Sequence, residues 1–135
     1  MEEFLMNRLV EEMKKVGVFY VSTIDGDQPR VRPFSSVCDF EGKTYICTNN
    51  TKECYKQIIA SPKVEISGMG KDGTWIRVSG KLVRDDRDEA RAAMLNDPTG
   101  PSNLYTVGDG IFEVFYIEDA SCIKYSFTSA PETIL

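Results

Sequence analysis

Asp25-Gly26-Asp27, Glu41-Gly42 and Gly70-Lys71-Asp72-Gly73 cut the middle of this chain into short runs. Turn residues at such spacing leave little length for long helices and send neighbouring runs back on one another. The runs predict strands over 18–24, 30–39, 43–48, 64–69 and 74–84. Pro33 interrupts the second, which marks an edge, a bulge or a ligand-facing segment. Two further strands are expected over 110–117 and 122–127, readable as one hairpin. Phe4, Leu5, Leu9 and Met13 predict a helix over 3–15, closed by Gly17. Asn50 with Glu53 fits a helix N-cap, and Tyr55, Ile58 and Ile59 give that helix an apolar face before Ser61-Pro62 ends it. Asp86 with Glu89 offers a cap for a short helix ending near Leu95, and 96–109 reads as a loop. The expected fold is a single domain over 1–135, mainly β, with a barrel-like antiparallel sheet and flanking helices.

The formal charge of −5 and pI of about 4.8 argue against broad nucleic-acid binding, which needs a basic surface. A local basic pocket remains open. No run approaches the ~20 apolar residues that span a membrane. Met1-Glu2-Glu3 lacks the basic segment of a secretory signal, so a cytoplasmic location is expected. There is no histidine, which excludes imidazole zinc sites and histidine-dependent triads. Cys38, Cys47, Cys54 and Cys122 form no CxxC pair; Cys38 and Cys47 fall on adjacent predicted strands, where a pair is geometrically conceivable, but reduced, mostly buried thiols are expected. No metal site is expected. The carboxylates Asp85, Asp86, Asp88 and Glu89 are explained by helix capping and dipole.

The residues with most chemical content lie between Gln28 and Ser67. Arg30, Arg32 and Phe34 alternate with Val31 and Pro33, so the two arginines share a strand face. They read either as a solvated face or as a phosphate grip, because guanidinium offers a planar fork of donors. Thr48-Asn49-Asn50-Thr51-Lys52 precedes a helix, whose N-terminal N–H groups favour anions. Lys52 sits where the helix dipole disfavours a cation. It is either an exposed lysine beside an ordinary cap or a phosphate ligand that offsets the penalty. Trp75 could stack on a planar ring or pack in a core or subunit contact. The apolar Phe112 to Tyr116 segment can fill the barrel and a dimer interface.

VFYVSTIDGDQPRVRPF, YICTNNTKECYKQIIASPKVEISG, WIRVSG and GIFEVFY, in that order, resemble the pyridoxamine 5'-phosphate oxidase-like family of flavin mononucleotide (FMN) binding split barrels. The similarity runs over nearly the whole chain. It implies a six-stranded antiparallel split barrel and a homodimer with two FMN sites at the subunit interface. It implies that Arg30, Val31, Arg32, Pro33, Phe34 and Ser35 run along the flavin, with Arg30 or Arg32 reaching the phosphate or ribityl chain. Thr48 and Asn49 fall where the third strand meets the ligand, and Lys52 falls in the phosphate turn. Trp75 stands where many relatives place glutamine and would contact the flavin from the partner subunit. Ser67 is a further lining residue.

Glu53-Cys54 replaces the Arg-Lys pair of true pyridoxamine-phosphate oxidases, and nothing after Phe127 matches their substrate-binding tail. Vitamin B6 oxidation is therefore not expected. The chain is more similar to short flavoproteins related to nitroimidazole-resistance reductases, without the histidine that some of them use. The resemblance implies an oxidoreductase carrying electrons from a reduced nicotinamide, NAD(P)H, or another donor to a small planar acceptor. Tyr105 and Tyr125 are conceivable proton donors. The rival readings are a passive FMN-binding or flavin-sensing protein, a binder of haem or another phosphorylated ring, and a structural dimer.

Overall fold

The computed structural model describes residues 2–135, with side chains from Arg8 onward. Phe4 and Leu5, expected on the apolar face of the first helix, lie outside the described side chains. Eight strands and three helices follow in the order α1 (Glu2–Val16), β1 (Phe19–Asp25), β2 (Gln28–Phe34), β3 (Cys38–Phe40), β4 (Lys43–Asn49), α2 (Glu53–Ala60), β5 (Lys63–Met69), β6 (Trp75–Asp85), α3 (Asp88–Asn96), β7 (Phe112–Tyr125) and β8 (Glu132–Thr133). The protein is mainly β with flanking helices. Among the described residues no helix is long and apolar enough to cross a membrane.

All strand pairs are antiparallel, in the order β2-β1-β5-β6-β7-β4-β3, with β8 added on β7. The turn signals act as the sequence predicts. Phe40 pairs with Lys43 across Glu41 and Gly42, whose φ values of 54° and 78° are those of a two-residue type I′ turn. The segment expected as one strand over 30–39 is two. β2 and β3 end on opposite edges of the sheet, joined only by residues 35–37. Four peptide steps reach at most about 14 Å. The sheet must therefore curl until its edges nearly meet, although among the described residues no hydrogen-bonded ladder closes it into the expected barrel.

The curl creates two apolar layers. Leu9, Val10 and Met13 of α1 pack inside the sheet against Phe19, Val21, Ile46, Ile66 and Phe115. Outside it, Ala90 and Met94 of α3 cover Tyr45, Cys47, Phe112 and Val114. Both faces of β4 and of the first half of β7 are covered, so their residues are almost continuously buried.

The expected break between strands at 117–122 is a bulge, not a hairpin. Lys81 pairs with Glu118 and Ser79 with Ser121, so Gly80 alone faces two residues of β7, and Asp119 takes a φ of 54°. The extra residue exchanges the faces of the strand. Phe115 and Ile117 enter the core before it and Cys122 after it. The close approach needs glycine, since a Cβ on residue 80 would lie 2.5 Å from Ile117 Cγ2 and 3.1 Å from the Glu118 carbonyl oxygen.

The acidic cluster after β6 does not cap α3, contrary to expectation. Arg87 occupies the N-cap without a side-chain cap bond. Asp85 instead accepts hydrogen bonds from the Tyr45 hydroxyl at 2.6 Å and from Arg87, which also grips Glu41 at 2.6 Å. Asp86 pairs with Arg84 and Arg91, and Asp88 with Arg91. Asp88 and Glu89 do lie in the first turn of α3, as the dipole expectation has it, while Arg84, Arg87 and Arg91 engage Asp85, Asp86 and Asp88. Arg87, then Tyr45, holds the Asp85 carboxyl well below the usual carboxylate range, against the opposing effect of burial.

Replacing Gly80 with valine should lower stability by about 1–3 kcal/mol, read by denaturant unfolding. An unchanged midpoint would mean that the bulge is loose. The low Asp85 pKa stabilises the fold fully above its unfolded value of about 3.9 and less as pH falls through the lower folded value. Asp85→Asn should therefore cost stability at pH 7 and flatten the acid limb of a stability–pH profile.

Candidate functional site

The register of β2 against β1 sets Arg30 opposite Thr23, Arg32 opposite Val21 and Phe34 opposite Phe19. The two arginines share a face, as their alternation predicts, yet their surroundings differ. Arg30 is exposed and pairs with Asp25 at 3.2 Å. Arg32 is half-buried and donates to Thr23 Oγ1 at 2.7 Å, Gln57 Oε1 at 2.8 Å and the Val21 carbonyl at 3.2 Å.

Arg32 lines an open cleft of about 190 Å³ where the sheet edges approach. Pro33, Phe34 and Ser35 continue its wall, and Thr48 and Lys52 enter from β4 and the start of α2. These six residues, all expected at the site, are thus brought together. Asn49 is buried just behind. Its amide donates to the Tyr105 hydroxyl at 2.6 Å, and its Oδ1 accepts from the Thr51 N–H and hydroxyl. It shapes the wall without lining it.

Other expected residues lie elsewhere in the single chain. Val31 is exposed on the opposite face of β2. The Ser67 hydroxyl donates to the Ile76 carbonyl at 2.8 Å. Trp75 stacks on Tyr125 at 5.7 Å and packs against Phe127 at 4.8 Å.

The remaining wall consists of Ser36, Cys47, Cys54, Pro101, Leu104 and Tyr105. The last three belong to the loop after α3, which reaches the site through long-range bonds. Ser36 donates to the Thr99 carbonyl, the Val37 N–H donates to Thr99 Oγ1, and the Asn50 side chain donates to the Gly110 carbonyl. Proline and an aromatic in a loop are weak sequence signals; these bonds, with the one from Asn49 to Tyr105, aim them at the cleft.

Asn50 is not the α2 cap that the sequence suggests. Glu113 and Gly110 hold its side chain, and Lys52 stands at the N-cap in extended conformation with no side-chain cap bond. The first N–H groups of α2 therefore lack the usual side-chain acceptor. Arg8, Arg30, Arg84, Arg87 and Arg91 each lie within 3.2 Å of a carboxylate. Among the described residues Arg32 and Lys52 form no such pair, so the cleft of an acidic protein carries two uncompensated cations. Among the described residues no carboxylate lines it.

Burial raises the Cys54 thiol, and Arg32 and Lys52 both act to lower it, placing the two cations around one sulfur. Cys47 is pushed up to about 12 by burial, against a hydrogen bond with Ser36 and the charge of Lys52. The thiols of the wall are therefore neutral at pH 7 and poor nucleophiles. All four cysteines are free and buried, as expected. A disulfide reagent at pH 8 should label the native protein slowly and the unfolded protein at four thiols; rapid native labelling of Cys47 or Cys54 would contradict the burial.

No family model and no curated protein matches the chain. Among solved structures, a NimC/NimA family protein from Clostridium acetobutylicum is 48% identical over 98% of this chain and 92% of its own, with a TM-score of 0.93. A haem-binding protein from Mycobacterium smegmatis is 16% identical over 92% of this chain and 56% of its own, with a TM-score of 0.71. A pyridoxamine 5'-phosphate oxidase-related, FMN-binding protein from Nostoc punctiforme PCC 73102 is 16% identical over 98% and 93%, with a TM-score of 0.61. At such low identity the last two share the fold alone. At 48% identity over nearly its full length, the chain belongs to the NimC/NimA family, on the fold of the pyridoxamine 5'-phosphate oxidase-like proteins.

Proposed function

We propose that the cleft binds FMN and that the protein is a flavin-dependent oxidoreductase, passing electrons from NAD(P)H or another donor to a small planar acceptor. One observation carries the reading: Arg32 and Lys52, both without carboxylate partners among the described residues, line one cleft, into which the uncapped start of α2 brings Lys52. One braced guanidinium and one exposed ammonium beside N–H groups that lack a side-chain cap suit a dianionic phosphate. Bound FMN would supply the hydride and electron-transfer chemistry. The chain's own residues bind and orient it. Arg32 and Lys52 take the phosphate, Thr48 offers a hydroxyl to the ribityl chain, and Phe34, Pro33 and Leu104 give the ring an apolar approach.

On this reading β1, β2, β4, β5, β6 and β7 form a six-stranded split barrel, with the cleft at the split. Sites for whole cofactors usually enclose about 300–1,000 Å³. The 190 Å³ of one chain suits the phosphate end and leaves the ring without a second wall. A homodimer with two interfacial sites would provide that wall. Exposed Tyr20, Val31, Met69 and Phe127, next to Trp75, form an apolar surface that a second copy could cover. Four free thiols agree with a reducing cytoplasm.

A second reading, a passive FMN carrier or sensor, is kept beside it; among the described residues Tyr105 is the one acidic oxygen group of the cleft wall. Turnover of NAD(P)H with an acceptor separates the two. The purified protein should show flavin absorbance, and the released chromophore the mass of FMN. Arg32→Ala with Lys52→Ala should weaken FMN binding about 100-fold, from roughly 1.4 kcal/mol per lost charge-assisted contact. Unchanged FMN affinity in that double variant would overturn the phosphate assignment.

A further inference from the structure

Arg32 is held in an unusual way for this protein. Its Nη1 donates to Thr23 Oγ1 and its Nη2 to Gln57 Oε1, while the Thr23 hydroxyl donates to the same Gln57 oxygen at 2.6 Å. The three side chains form a closed ring of hydrogen bonds. Thr23 is 1% and Gln57 8% exposed, so water competes little with it. Among the described residues every holder of the guanidinium, including the Val21 carbonyl, is neutral.

The neutrality matters electrostatically. A carboxylate at residue 57 would orient Arg32 equally well but would offset its charge toward the cleft. Glutamine fixes the fork and leaves the charge for a ligand. Gln57 also lies one turn beyond Cys54, on the helix whose start bears Lys52. The same short helix thus presents its N-terminus and sets the aim of Arg32.

We infer that Gln57, with Thr23, is the positioning residue that keeps Arg32 aimed and uncompensated, and that this makes the site select the phosphorylated form of its ligand over the dephosphorylated form. The inference rests on the phosphate reading above. Neither residue lines the cleft, so both act through Arg32.

FMN and riboflavin are the probes, because they differ only in the phosphate. Their dissociation constants are measured by flavin fluorescence for the apoprotein form of wild type, Gln57→Glu and Thr23→Val, each checked for native thermal melting. Gln57→Glu should reduce the preference for FMN over riboflavin about tenfold or more, leave riboflavin affinity near wild type and flatten the salt dependence of the preference. A merely structural role would weaken both ligands together. Thr23→Val, nearly isosteric, should lower the preference by about threefold to tenfold and serves if the glutamate variant does not fold. A wild type that prefers FMN with both folded variants keeping that preference overturns this inference and leaves the FMN reading intact. A wild type with no preference for FMN overturns both.

Discussion

Residues 35–37 are the constraint on which the architecture turns. They tie β2, at one edge of a hydrogen-bonded sheet, to β3 at the other. So short a link cannot bridge a flat sheet of that width. The curl that follows makes an inside for Leu9, Met13, Ile46 and Phe115 and an outside for α3. It also leaves a gap between edges that do not pair, and the cleft opens there. Core and site are consequences of one short connection.

A second constraint is parity. β7 must serve two layers along its length, and a regular strand would turn Cys122 outward after placing Phe115 inward. The bulge opposite Gly80 corrects this with one residue. The cost is a position where only glycine fits, which ties the identity of residue 80 to packing on the neighbouring strand.

Charge is distributed with a similar division of labour. Arg84, Arg87 and Arg91 are bound into carboxylate networks around Asp85, Asp86 and Glu113 and consolidate the join of β6, α3 and β7. Arg32 is braced by an amide, a hydroxyl and a carbonyl. The first set stabilises the fold, whereas Arg32 retains charge that can be directed at a ligand. An acidic chain can in this way keep a local cationic site without becoming a general binder of polyanions.

Local periodicity and turn chemistry made much of this legible. The hairpins at 25–28 and 40–43, the extents of α1 and β4, the shared face of Arg30 and Arg32, and the gathering of Thr48 with Lys52 follow from residue order, because each depends on neighbours in sequence. The break at 35–37, the continuity of β7 and the fate of Asn50 did not, because Thr99, Gly80, and Gly110 with Glu113 engage them from far along the chain. Sequence could not choose between Arg30 and Arg32 either: both alternate correctly, and only the tertiary approach of Asp25 to one and Gln57 to the other separates them. By itself, then, the amino-acid order determined a mainly β domain with a phosphate-compatible segment. The tertiary structure decided which charges stay uncompensated and where the cleft opens, since both depend on partners that only folding brings within hydrogen-bond range.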